Sequence, residues 1–159
     1  TSQGNFASNL LALFLFLVAG LTDYFDGYVA RLHGTVSSLG ALLDLLADKL
    51  LVCIVIVWLV YLLESIQLIF PVLLIISREL IISSLRQYIV ESVGENPIQV
   101  TKIGKSKTTF QFVAISFLII SPNAGPYFYL ITVTLVWFSA LLSIFSLWDY
   151  LKAYRRYFL

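Results

Sequence analysis

Long apolar runs set the terms for this chain. Leu50–Leu63 and Tyr127–Leu147 are almost unbroken hydrocarbon and aromatic sequence. Stretches of about 20 such residues are what a helix needs to cross roughly 30 Å of bilayer core. Barrel strands would instead show runs of about 10 residues with period-two alternation. The chain is 60% hydrophobic and 12% charged, whereas a soluble domain is nearer a quarter charged. The expectation is an all-α, polytopic membrane helical bundle forming one domain over residues 1–159.

Five spans are predicted, at about Phe6–Tyr28, Leu39–Leu63, Ile66–Val90, a fourth ending near Ile120, and Tyr127–Trp148. A polar turn covers Arg31–Thr35, and Ser37 or Ser38 is placed to cap the second helix. Glu64-Ser65, Gly94-Glu95-Asn96-Pro97 and Ser121–Pro126 mark the other breaks. Pro71 falls near the start of the third span, where proline is tolerated. Thr1–Asn5 lacks the basic start of a signal peptide. Cys53 is alone, so no disulfide framework is possible, and it reads as a small packing residue.

Charge placement gives the topology. Arg31, the Lys102–Lys107 segment and the Lys152–Arg156 tail all fall on one side of alternating spans. The turns at Glu64–Gln67 and Ser121–Pro126 carry no Lys or Arg. The positive-inside rule makes the basic side cytoplasmic. Tyr150, Tyr154 and Tyr157 suit an interfacial aromatic belt there.

Against this background, Asp23–Asp48 stands out. Asp23 and Asp26 are spaced i, i+3, and Asp44 and Asp48 are spaced i, i+4, so each pair shares one helix face. The short turn makes the two helices antiparallel neighbours, able to bring four carboxylates to one small volume. Without a cation, repulsion and desolvation would protonate some of them. All-oxygen ligands suit Mg²⁺, Mn²⁺ or Ca²⁺ rather than zinc. Gly27 and Gly40 permit close approach, Ala30 and Ala41 keep the faces low, and Arg31 offers a planar fork for phosphate.

Asp23-x-x-Asp26-Gly27-x-x-Ala30-Arg31, eight residues, then Gly40-x-x-x-Asp44-x-x-x-Asp48 resembles the signature of the CDP-alcohol phosphotransferases, with all eight positions present. Asp48-Lys49-Leu50-Leu51-Val52, Ser77-Arg78-Glu79-Leu80, Ser83-x-Leu85-Arg86 and Ile103-Gly104-Lys105-Ser106-Lys107-Thr108-x-x-Gln111 look like its phosphatidylglycerophosphate synthase branch. The resemblance covers essentially the whole chain. It implies transfer of a phosphatidyl group from CDP-diacylglycerol to sn-glycerol 3-phosphate, with CMP released, on the route to phosphatidylglycerol and cardiolipin. It also implies a six-helix fold, a homodimer, an active site at the cytoplasmic face of a bacterial inner membrane or its equivalent, and no nucleic-acid partner.

By the same resemblance, Asp23, Asp26, Asp44 and Asp48 hold two Mg²⁺ or Mn²⁺ ions, with Asp48 also the general base. Gly27, Ala30, Arg31, Ser37 and Gly40 map to the CDP-lipid site. The acceptor phosphate needs its own cations, for which Arg78, Arg86, Lys105 and Lys107 are the candidates, with Thr108 beside them. Arg78 has a second reading as the partner of Glu79 or an aspartate. Lys105 and Lys107 have one as topology charges, as do Lys102, Lys152, Arg155 and Arg156.

The branch usually carries one more helix before the signature, with a Pro-x-x-Thr contact to cytidine. Thr1–Asn5 does not supply it, so the domain is expected to lack the family's first helix. Leu45 replaces a common proline and Ser37 a common threonine, and neither change removes a ligand. Three other readings stay open at this point. One is a sibling transferase using inositol phosphate or serine. The others are a cation transporter using the aspartates as a path, and a non-catalytic relative.

Overall fold

The computed structural model describes the backbone of residues 6–33, 38–93 and 102–155. Within these, side chains are described for residues 6–22, 49–89, 107–153 and 155. All of it is helix and turn, with no strand among the described residues. The helices are α1 (Phe6–His33), α2 (Ser38–Leu62), α3 (Ile66–Val93), α4 (Lys102–Ile120) and α5 (Pro126–Tyr154). A 3-10 turn, Ser121–Asn123, links α4 to the Gly125-Pro126 start of α5.

Two boundaries differ from expectation. The Arg31–Thr35 turn was expected to begin at Arg31, but α1 runs on through His33. Leu32 and the alanine at 30 are good helix formers, and the segment contains no proline to stop the helix. Likewise α4 starts at Lys102, so Gly104–Thr108 is helical rather than a lead-in loop.

Helices α3 and α5 are long and apolar enough to cross a membrane, over Ile66–Ile89 and Pro126–Ala153. The apolar stretches Phe6–Thr22 of α1 and Lys49–Leu62 of α2 are shorter. α5 packs on both α3 and α4, α1 packs on α4, and α2 packs on α3 and α4. The core joins Phe16, Ile56, Leu68, Ile75, Ile115, Leu118 and Val136 from all five helices.

Large apolar side chains are exposed while small hydroxyl side chains are buried, the distribution a bilayer would demand. Ile54, Phe70, Leu130 and Phe145 are each at least 60% exposed. Thr132, Ser139, Ser143 and Ser146 are buried along one side of α5. In a bilayer, where lipid is as apolar as leucine, apolar burial would do little to drive such helices together. Small residues let backbones approach, and van der Waals contact does the rest. Hydroxyls within the helices satisfy themselves on the carbonyl one turn back, as Thr22 does on Val18 (2.8 Å) and Thr132 on Phe128 (2.9 Å).

Gly20 marks the tightest approach described between α1 and α4. A Cβ there would lie 2.6 Å from the Phe112 ring. Phe16, one turn earlier, stacks on the same ring at 4.5 Å. At the α2–α3 turn, Glu64 takes φ 48° and ends α2, with Ser65 N–H donating to the Val60 carbonyl and Glu64 N–H to that of Tyr61. The turn is tied to α5 by Tyr129. Its hydroxyl accepts from Gln67 Nε2 at 2.9 Å and is 2.5 Å from Ser65 Oγ.

Candidate active site

The backbone places the aspartates as the spacing requires. Asp23, Asp26, Gly27, Ala30 and Arg31 lie in the C-terminal half of α1, and Gly40, Asp44 and Asp48 in the N-terminal half of α2. Helical geometry puts Asp23 with Asp26, and Asp44 with Asp48, within one turn. The intervening residues 34–37, including Ser37, and the side chains of all these positions lie outside the described residues. The same holds for the side chain of Lys105 on α4. Among the described residues there is no group of three or more metal-ligating side chains.

The predicted acceptor cations are better defined. Lys107 projects from the second turn of α4 and is fully buried. It forms an ion pair with Glu79 Oε1 of α3. Its burial in an ion pair sets Lys107 apart from a solvated surface charge. Arg78 is held on two sides. Its Nη1 donates to Glu79 Oε1 at 3.3 Å, and its Nη2 donates to Ser146 Oγ of α5 at 2.8 Å. The expected pairing of Arg78 with Glu79 is therefore present.

Arg86 follows two turns along α3. The Nε atoms of both arginines are buried and have no hydrogen-bond partner among the described residues. Buried N–H donors without acceptors are costly in a low dielectric, even where the rest of the guanidinium is paired. An anion with several acceptor oxygens would satisfy them.

Beside this cluster, α2, α3 and α4 line a half-open pocket of about 130 Å³. Lys49, Glu79, Thr108 and Gln111 line it, with Phe112 and Ile115 among its apolar walls. Gln111 Oε1 is buried there without a hydrogen-bond partner among the described residues. Lys49 directly follows Asp48 in α2, so the cavity adjoins the helical segment that carries the last two signature aspartates.

Three features escaped sequence reasoning. Ser146 was hidden in an apolar helix, although Ser139, Ser143 and Ser146 recur at helical spacing. The joint hold of Glu79 on Arg78 and Lys107 depends on a contact between α3 and α4 that no local motif encodes. The cavity needs three helices to exist.

With this geometry in place, comparison with known proteins decides the family. The sequence matches the CDP-alcohol phosphatidyltransferase family over residues 5–145. The chain belongs to that family. Among curated relatives, one from Rickettsia bellii (strain RML369-C) is 36% identical over 153 residues, covering 95% of this chain and 82% of the relative. One from Escherichia coli (strain K12) is 37% identical over 148 residues, covering 93% and 80%. A Shigella flexneri relative shows the same identity and coverage as the Escherichia coli one. All three are named CDP-diacylglycerol–glycerol-3-phosphate 3-phosphatidyltransferase. Membership in this family makes the chain an enzyme, and the transport reading falls away.

Proposed function

We propose that this phosphatidyltransferase moves a phosphatidyl group from CDP-diacylglycerol to sn-glycerol 3-phosphate, giving phosphatidylglycerophosphate and CMP. Relatives of that name, 36–37% identical over most of the chain, support the overall reaction. The observation that carries the acceptor assignment is the cluster of Arg78, Arg86 and buried Lys107, a cation set suited to a phosphate monoester.

In this reading the acceptor hydroxyl oxygen attacks the phosphorus that bears diacylglycerol. A new P–O bond forms, the P–O bond to CMP breaks, and the hydroxyl proton passes to the Asp48 carboxylate. Phosphoryl transfer of this kind rests mainly on positioning and charge stabilisation. Arg31, Ser37 and the glycine and alanine positions 27, 30 and 40 would seat the CDP group. Arg78, Arg86, Lys105 and Lys107 would anchor the acceptor phosphate, with Thr108 at the edge of the cavity.

The donor set fits divalent cations. The two carboxylate pairs lie on helical backbone at one-turn spacing, all ligands are oxygen, and no thiolate or imidazole competes in that stretch of α1 and α2 before His33 and after it to Asp48. Asp23, Asp26, Asp44 and Asp48 would hold Mg²⁺ or Mn²⁺, two ions in all. Bound there, they would supply charge stabilisation to the attacking and leaving oxygens.

The wider assignments follow the same reading. Five spans would cross the membrane, the basic ends would face the cytoplasm, and two copies would associate. The deciding experiment offers CDP-diacylglycerol with labelled glycerol 3-phosphate, inositol phosphate or serine, with and without Mg²⁺. Labelled phosphatidylglycerophosphate with glycerol 3-phosphate is the expected product, and preference for serine would overturn the acceptor assignment.

A further inference from the structure

One carboxylate oxygen serves two cations from different helices. Glu79 Oε1 accepts from Arg78 Nη1 of α3 and pairs with the Lys107 ammonium of α4. Lys107 is fully buried, and the Arg78 and Glu79 side chains are only 11% and 16% exposed. Charges this sheltered are costly unless closely paired.

The Glu79 carboxylate joins one cation of α3 to one of α4. It also fixes where the cations stand. Glu79 and Ser146 clamp Arg78 from opposite sides, while the Nε edges of Arg78 and Arg86 keep unused donors. Glu79 also borders the cavity, within reach of a small polar substrate.

We propose that Glu79 is a positioning residue of the acceptor site: it holds Lys107 and Arg78 in register across α3 and α4 for the phosphate of the acceptor. This rests on the assignment of Arg78, Arg86 and Lys107 to the acceptor phosphate. A purely structural ion pair would act differently, lowering stability and weakening both substrates alike.

The test uses the full protein in lipid–detergent micelles, varying glycerol 3-phosphate and CDP-diacylglycerol separately. Glu79→Gln is expected to raise KM for glycerol 3-phosphate by about tenfold or more. KM for CDP-diacylglycerol and kcat at saturating acceptor should stay within about threefold. Glu79→Asp, which keeps the charge on a shorter stem, should give an acceptor KM between those of the wild type and Glu79→Gln. Should Glu79→Gln fail to fold, Glu79→Asp carries the test alone through its raised acceptor KM and unchanged CDP-diacylglycerol KM.

An unchanged or lowered acceptor KM in these variants overturns the inference. So does an equal rise in both KM values. Lys107→Ala separates the two levels. If it leaves the acceptor KM unchanged, the acceptor-site assignment fails. If it raises that KM while Glu79→Gln does not, only the role of Glu79 fails.

Discussion

Replacing Gly20 by alanine puts one carbon where α1 and α4 leave no room. The new Cβ would sit 2.6 Å from the Phe112 ring edge. Carbon atoms rest at about 3.5–4.0 Å, so the ring must yield by about 1 Å. Phe112 is not free to do so without loss, because it stacks on Phe16 at 4.5 Å. Overpacking of this kind costs about 1–3 kcal/mol. Alanine offsets up to about 1 kcal/mol of that through its better helix propensity. The net expectation is a loss of about 1 kcal/mol. In a Phe112→Ala background the obstacle is gone and only the propensity gain remains, so the sign should reverse. The double-mutant cycle should therefore show a coupling of about 2 kcal/mol. Reversible unfolding in mixed micelles, followed by circular dichroism, measures all four corners. A coupling below about 0.3 kcal/mol would refute the close packing of α1 on α4 at this point.

Other outcomes are expected. Asp44→Asn should abolish CMP release while leaving the protein folded, and full activity in that variant would sink the metal-ligand assignment. Chelation of divalent cations should stop the reaction, and adding back Mg²⁺ or Mn²⁺ should restore it. Ser146→Ala removes one of the two holds on Arg78 and should raise the acceptor KM by about threefold to tenfold, as loss of a hydrogen bond of about 1 kcal/mol would do, with the CDP-diacylglycerol KM unchanged. Tyr129→Phe should lower stability by about 1–2 kcal/mol and leave both KM values alone, because its hydrogen bonds lie at the opposite end of α5 from Ser146.

How much of this could be read from the sequence varies by residue. The helices were legible because apolar runs of membrane length have few other folds open to them. The breaks at Glu64-Ser65 and Ser121–Pro126 were legible through their polar and turn residues, and both fall where the structure has them. The aspartate pairs were legible because carboxylates stand out in hydrocarbon. The end of α1 was misplaced because polar residues at a membrane surface look like a turn whether or not the helix continues. Lys107 was ambiguous for a related reason. A lysine near a helix end reads equally as a topology charge or a buried ligand, and its partner on α3 is too far along the chain for any local motif to show. Ser146 carried too little signal alone, since serine in an apolar helix more often serves packing.

The tie between Tyr129 and the Ser65–Gln67 turn bears on how the bundle moves. It fastens α5 to the start of α3 at the end away from Arg78 and Ser146. From Tyr129 to Ser146 is 17 residues, or roughly 25 Å of helix at 1.5 Å per residue. A rotation of about 5° about such an anchored end would shift the Ser146 level by roughly 2 Å, given that helix rise. That displacement would be enough to part Arg78 Nη2 from Ser146 Oγ, now 2.8 Å apart. Helices α3 and α5 are thus pinned at two levels, by the Tyr129 hydroxyl at one and by the Arg78 guanidinium at the other.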